Sequence, residues 1–497
     1  MSDTIPSSGS STTSINPPLG GGKLSTIEAS GLSMAGLAPT MAMALGTSFA
    51  ATEAGDAVPL CYVFAMIGSF ALAYVIVRFA RRRPGSGVAF SYVDSAFGKT
   101  AGFTAGLLYA LAWLFAIAVT LAICAVAISA ILGEYHHNVS WFPFFIAEIV
   151  IVFLLNYLGV KPSVRTQVLA EVGSMIAVTL IFIFALASSK MPGLSLQPFN
   201  PHLATKGWGG IGYGMIYGFS GFAGFEGAAA LGFETKNPRR GIPRAIIFSL
   251  LGAAVFYIFV TYALAIGFGP HGGATWGAAG SPLATILTHA LGPNWATAVE
   301  AMVALSGFSA GLGLVTLSTR VLHGMSLSGL MPAVFRKEHI RFRTPYIGVA
   351  AVVAVACAYG VWIGLWRGAN FLIGFTAGAT TLGLIAVYIA TSVGAVVVFG
   401  LRGASSRRWI AIVVPIVSFG LLVYAFYASV IPVPAFPYSL APYIVLAIAI
   451  IAIVVGFRLR TRTDIETEQL FQMSIESPDQ ARFDDSMRRI SGETNGT

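Results

Sequence analysis

Long apolar runs separated by short polar connections occupy this chain from residue 30 to residue 457. About 20 apolar residues wound as a helix cross roughly 30 Å of hydrocarbon. The pattern predicts twelve such spans, at 30–50, 56–78, 102–132, 142–160, 166–187, 208–233, 242–268, 294–319, 345–366, 370–399, 409–430 and 438–457. The expected class is an all-α integral membrane protein with twelve transmembrane helices.

The polar connections alternate in charge. Those at 78–99, 161–165, 236–244, 320–343 and 402–408 hold nineteen Lys and Arg, and the terminal segments hold seven more. The opposite set holds only Lys190, Lys206 and Arg367. Loops on the cytoplasmic side retain Lys and Arg, so both ends are expected in the cytoplasm, as an even number of spans requires. The expected location is the cytoplasmic membrane.

Composition removes other classes. Of 497 residues, 56% are hydrophobic and 10% charged, with a mean hydropathy of +0.79. Soluble domains carry roughly 25% charged residues, which excludes a soluble multidomain enzyme. The net charge of +9 sits in the connections, where anionic membrane lipid rather than nucleic acid is the expected partner. Cys61, Cys124 and Cys357 fall inside spans without metal-ligand spacing, so neither a metal site nor a disulfide is expected. No Gly-rich phosphate loop ending in Lys-Ser/Thr is present, so no nucleotide or other cofactor is expected. Residues 1–25, rich in Ser, Thr, Pro and Gly, read as a disordered cytoplasmic lead, and 458–497 as a polar, acidic cytoplasmic tail.

Two spans carry signals of interruption. In the first, Pro39 has no amide hydrogen and clashes with the carbonyl of Ala35, and Gly36 eases departure from helical geometry. In the sixth, glycines stand at 207, 209, 210, 212, 214, 218, 221, 224, 227 and 232, and Phe219, Phe222 and Phe225 interleave with Gly218, Gly221 and Gly224. Close helix packing is the competing explanation for these small residues. Spans one and six stand at equivalent places in two blocks of five. That is the arrangement of inverted-repeat transporters, which bind substrate at the membrane midplane between discontinuous helices. Half-helix N-termini suit a carboxylate and exposed carbonyls suit an ammonium group, so a zwitterionic amino acid fits both.

Three segments then carry a resemblance. They are Arg83-Pro84-Gly85-Ser86-Gly87-Val88-Ala89-Phe90-Ser91-Tyr92-Val93 before span three, Gly224-Phe225-Glu226 with Glu234-Thr235-Lys236-Asn237-Pro238-Arg239-Arg240-Gly241-Ile242-Pro243-Arg244-Ala245, and Arg320 to Pro332 after span eight. Together they resemble the amino acid–polyamine–organocation permease family over about residues 25 to 460, the middle segment most specifically. Phe90 stands where the family usually has Tyr, and Leu327-Ser328 where it usually has Arg-Asp. The resemblance implies a five-plus-five inverted repeat (LeuT-like) with broken helices 1 and 6. The first repeat is 26–187, the second 208–399, and two extra helices follow at 409–457. It also implies transport of amino acids or related amines, by proton-linked uptake or by exchange.

The candidate substrate-binding residues are Ser33, Ala35, Gly36, Leu37 and Ala38 in span one, with Tyr217, Ser220, Gly221, Phe222 and Phe225 in span six. Phe222 and Phe225 are candidate gates, set against ordinary core packing. Intramembrane carboxylates are costly and usually functional, which singles out Glu171 and Glu226 as proton-coupling candidates. The competing roles are a structural hydrogen bond for Glu171 and a structural place in the family motif for Glu226. Ser306 and Ser309 share a face of span eight and form a weaker candidate sodium site. The reading is secondary transport of amino acids, neutral ones first, with a proton preferred over sodium. Polyamine or organic-cation uptake, exchange, and a substrate sensor or channel remain alternatives.

Overall fold

The computed structural model describes residues 24–82, 88–134, 137, 139–232, 235–342, 344–402, 408–431 and 440–460. Residues 1–23 of the expected lead, 461–497 of the expected tail, and Glu234 lie outside the described residues. Leu24 and Ser25, expected in the disordered lead, instead belong to the fold, Leu24 buried and Ser25 capping α1 (Thr26–Leu37), and the last helix continues to Arg460. Among the described residues every regular element is helical.

The helices expected to make the first five spans begin with α1 (Thr26–Leu37) and α2 (Pro39–Ala54), which together occupy the first expected span. α3 (Val58–Arg82), the short α4 (Val88–Phe97), α5 (Lys99–Glu134), α6 (Trp141–Leu158) and α7 (Val160–Leu186) complete the set. The second set opens with α8 (Gly207–Phe222) and a five-residue 3-10 turn, Gly227–Leu231. It continues with α9 (Pro238–Phe268), the short α10 (Gly273–Ala278) and α11 (Pro282–Ala290), α12 (Pro293–Leu327), α13 (Tyr346–Arg367) and α14 (Ala369–Ala395). α15 (Arg408–Val430) and α16 (Leu440–Arg460) follow. The sequence pattern did not anticipate α4, α10 or α11, which are too short to show as spans.

Ten helical stretches among the described residues are long and apolar enough to cross a bilayer. The other two expected spans fall short by that measure because each is in two pieces. α1 and α2 have 12 and 16 residues, and α8 has 16 before its 5-residue turn.

Packing follows from residue size. α5 runs along α12 with little space between them: a Cβ on Gly307 would lie 3.0 Å from Cys124 Cβ, and one on Gly311 would lie 2.5 Å from a Leu121 methyl. Where lipid and side chains are equally apolar, close backbone approach supplies the attraction between helices. The face of α16 bearing Leu446, Ile450 and Ile451 is exposed, as is that of α15 bearing Ile416 and Val417. Such apolar surface calls for an apolar cover, and the length of these helices suits a bilayer. α1 is tied at its start by a reciprocal cap. The Ser25 hydroxyl accepts from the Glu28 amide at 3.2 Å, and the Ser25 amide donates to the Glu28 carboxylate at 2.9 Å.

Candidate functional site

The first interruption occupies a single residue. Ala38 stands at φ 41°, ψ 59°, a left-handed conformation that a side chain rarely tolerates. Pro39 cannot donate to Ala35, so α1 ends and α2 starts afresh within one peptide. The second interruption follows Phe222. Ala223 is extended, Gly224 stands at φ +93°, and Gly227 donates back to the Gly224 carbonyl at 2.9 Å to start the 3-10 turn. The helix thus remains regular through Gly218 and Gly221. The opened backbone lies at 223–226, later than the glycine pattern suggested, because Gly218 packs against Ala65 of α3 instead.

The two interruptions meet. A Cβ on Gly36 would lie 2.7 Å from the Gly224 carbonyl oxygen, and one on Gly224 would lie 2.6 Å from the Gly36 carbonyl carbon. Only paired glycines allow this approach. The Ser33 hydroxyl accepts from the Ala228 amide at 2.9 Å, joining α1 to the turn after α8. Four chain ends therefore converge: the carbonyl ends of α1 and α8, and the amide ends of α2 and the 3-10 turn.

Tyr257 of α9 closes this junction. Its hydroxyl lies 3.0 Å from the Leu37 carbonyl oxygen and 2.6 Å from that of Gly221, sharing one proton between the two interrupted segments. Its ring packs edge-on to Phe222, with centroids 4.9 Å apart. The sequence reading missed Tyr257. The signal was a lone phenol midway through an apolar span, where its hydroxyl must find a protein partner.

The titratable candidates resolve into two clusters. Glu171 of α7 is buried and accepts from the Ser306 hydroxyl at 2.8 Å, and Ser306 accepts from the Met41 amide at 3.2 Å. A carboxylate on α7 is thus linked through α12 to the first turn of α2. Ser309 reaches the Gln167 carbonyl at 3.5 Å, so the candidate proton and sodium residues occupy one place. The other Glu171 oxygen is buried without a hydrogen-bond partner. In the second cluster, Glu226 accepts at one oxygen from Tyr109 of α5, at 2.7 Å, and from Tyr388 of α14, at 2.6 Å. Its second oxygen is buried without a hydrogen-bond partner. This carboxyl anchors the opened segment to two neighbouring helices, and both phenols went unnoticed in the sequence.

The remaining candidates scatter around this centre. Ser220 lies 3.2 Å from the Thr381 hydroxyl of α14. Phe222 and Phe225 are both buried, and Ala35 packs against Gly313 of α12. Tyr217 lies apart from the junction. It stacks on Phe49 with centroids 5.4 Å apart and lies 3.1 Å from the Tyr213 hydroxyl, in an aromatic layer between α2 and α8. Beyond that layer Lys206 pairs with Glu53 at 2.5 Å. At the other end Arg165 of α7 pairs with Glu28 at 3.0 Å, and the Lys236 amide donates to the Leu24 carbonyl at 2.8 Å.

The amino acid permease family profile matches residues 24–455. The chain belongs to that family. Among curated permeases it is 30% identical to the branched-chain amino acid permease of Bacillus subtilis over 320 residues, 61% of this chain and 66% of that permease. The Escherichia coli gamma-aminobutyric acid permease is 28% identical over 342 residues, 66% of this chain and 70% of that one. The low-affinity putrescine importer of the same species is 25% identical over 308 residues, 60% and 66% respectively. In three dimensions the chain is similar to a sodium-coupled sialic acid symporter solved in a substrate-bound, outward-open state. The TM-score is 0.52 at 14% identity, covering 84% of this chain and 91% of that one. Amino acid permeases are transporters, and this one is a multi-pass membrane protein rather than an enzyme.

Proposed function

We propose that this permease carries a neutral amino acid across the cytoplasmic membrane by alternating access, through twelve spans with both ends in the cytoplasm. The observation that carries the reading is the convergence of two carbonyl ends and two amide ends at the Gly36–Gly224 contact. The carbonyls of Leu37 and Gly221, now engaged by Tyr257, receive the substrate ammonium. The amide end of α2 receives its carboxylate, where the helix dipole favours negative charge. Pro39 lacks an N–H and the Met41 amide is held by Ser306 in the empty protein, so the Thr40 amide stands nearest the ligand. Ser33, Ala35, Gly36, Ala38, Ser220, Phe222 and Phe225 surround that position, and Tyr217 acts in the outer aromatic layer. Glu171 takes up the coupling proton, since its hydrogen-bonded path through Ser306 reaches the start of α2. Glu226 holds the opened segment to α5 and α14.

The similarity to branched-chain permeases of two organisms and the apolar Phe222 and Phe225 favour an aliphatic side chain. A second reading, amine uptake, is favoured by the putrescine importer and by the bare carboxylate oxygen on Glu226. The test is uptake into proteoliposomes of labelled leucine, valine, gamma-aminobutyrate and putrescine, with pH and sodium gradients imposed separately. Leucine accumulation driven by an inward proton gradient is expected. Accumulation driven only by sodium moves coupling to Ser306 and Ser309, and preferential putrescine uptake overturns the neutral substrate.

A further inference from the structure

Basic side chains crowd the surface where α3 ends and α15 begins. There α14 continues into one wide π turn, Val396–Leu401. Phe399 of that turn is buried against Phe79, with ring centroids 4.7 Å apart. The guanidinium carbons of Arg78 and Arg82 each lie 4.6 Å from the Phe399 ring centroid. Arg408, opening α15, donates to the carbonyls of Gly400 at 2.7 Å and Leu401 at 3.4 Å. Arg402 is exposed at the end of the turn.

Arg78 and Arg82 are four residues apart on one helix face, an arrangement in which like charges repel. Arg402 and Arg408 increase the local charge. The ion pairs Arg165–Glu28, Lys206–Glu53 and His323–Glu338 involve none of these four arginines. Stacking on an aromatic ring engages the face of a guanidinium and leaves its N–H edge for hydrogen bonds. Arg78 spends one N–H on the Tyr74 hydroxyl at 2.9 Å, and its remaining N–H groups and those of Arg82 suit a planar or tetrahedral anion. Beside the cluster, Leu401, Trp409 and Val413 are exposed, and the apolar strip continues along α15 through Ile416 and Val417. Positive charge at the end of a lipid-facing strip complements a phosphate at the bilayer surface with its acyl chain alongside.

We propose that Arg78, Arg82, Arg402 and Arg408 form a site for the phosphate headgroup of an anionic membrane lipid, which offsets their repulsion and joins the ends of α3, α14 and α15. The site lies away from the Gly36–Gly224 junction and does not depend on which substrate is carried.

The test uses the full chain in detergent, with lipid retention read by native mass spectrometry and stability by thermal melting. Phosphatidylglycerol is compared with phosphatidylcholine. The parent and the control Arg239→Gln/Arg240→Gln, which removes equal charge elsewhere, are expected to retain phosphatidylglycerol and to melt higher with it. Arg78→Gln/Arg82→Gln is expected to retain it roughly tenfold less. If that variant does not fold, Arg402→Gln on the exposed rim reads the same loss. Equal loss in the control overturns the site in favour of diffuse surface attraction. Absence of lipid preference in the parent, or equal protection by inorganic phosphate, overturns it as well.

Discussion

Replacing Tyr257 with Phe removes one oxygen from the point where the two interrupted spans are joined. The ring stays, so its edge-on contact with Phe222 at 4.9 Å and with Tyr62 at 5.8 Å is retained. The lost hydroxyl served the carbonyls of Leu37 and Gly221 with a single proton, so about one hydrogen bond disappears. A buried acceptor left without its partner costs about 1–3 kcal/mol. That cost falls on the unliganded protein. In the proposed bound state the substrate ammonium satisfies the same carbonyls, and the hydroxyl is no longer needed there. The variant is therefore expected to melt lower without substrate and to bind it more tightly, by about tenfold for each 1.4 kcal/mol of the difference. Transport is expected to slow, because the empty carrier resets through a less stable junction. Equilibrium binding of labelled leucine in detergent, paired with melting curves with and without ligand, measures both effects. Weaker binding by tenfold or more, with unchanged melting of the empty protein, refutes the argument and makes the hydroxyl a substrate contact.

Other outcomes follow from neighbouring geometry. Glu171→Gln keeps a partner for Ser306 but cannot exchange a proton, so gradient-driven accumulation in proteoliposomes is expected to collapse while counterflow exchange persists. Equal accumulation by variant and parent removes Glu171 from coupling. Gly224→Ala places a Cβ 2.6 Å from the Gly36 backbone at φ +93°, and strain plus overpacking of about 2–5 kcal/mol is expected to abolish monodisperse expression. Gly221→Ala meets its nearest neighbours at 3.6–3.7 Å and is expected to fold normally by size-exclusion chromatography. Tyr109→Phe and Tyr388→Phe share one acceptor oxygen on Glu226. Their effects on melting are expected to be non-additive in a double-mutant cycle, each alone costing about 1–2 kcal/mol, and additive losses show that the phenols do not act through a common carboxyl.

Much of the architecture was legible because a bilayer restricts what backbone can do inside it. Apolar run length located the helices to within a few residues, since every buried amide must be satisfied within its own segment. Pro39 marked the first interruption for a local reason, the missing donor. The second was harder to place. Ten glycines between 207 and 232 serve two purposes, close packing and backbone opening, and only their neighbours separate these uses. Gly218 faces Ala65 within a regular helix, whereas Gly224 faces Gly36 in a left-handed conformation.

By itself the sequence determined that this protein is a helical bundle in lipid, where its long helices run, and that spans one and six carry the Pro and Gly that permit an interruption, because hydropathy and the chemistry of Pro and Gly act over a few residues. Tertiary structure alone decided which groups meet. Glu171 and Ser306 are 135 positions apart, Tyr257 and Leu37 are 220 apart, and Tyr109 and Glu226 are 117 apart. No local pattern encodes such pairings, since each arises where helices cross and a buried polar atom must find its complement.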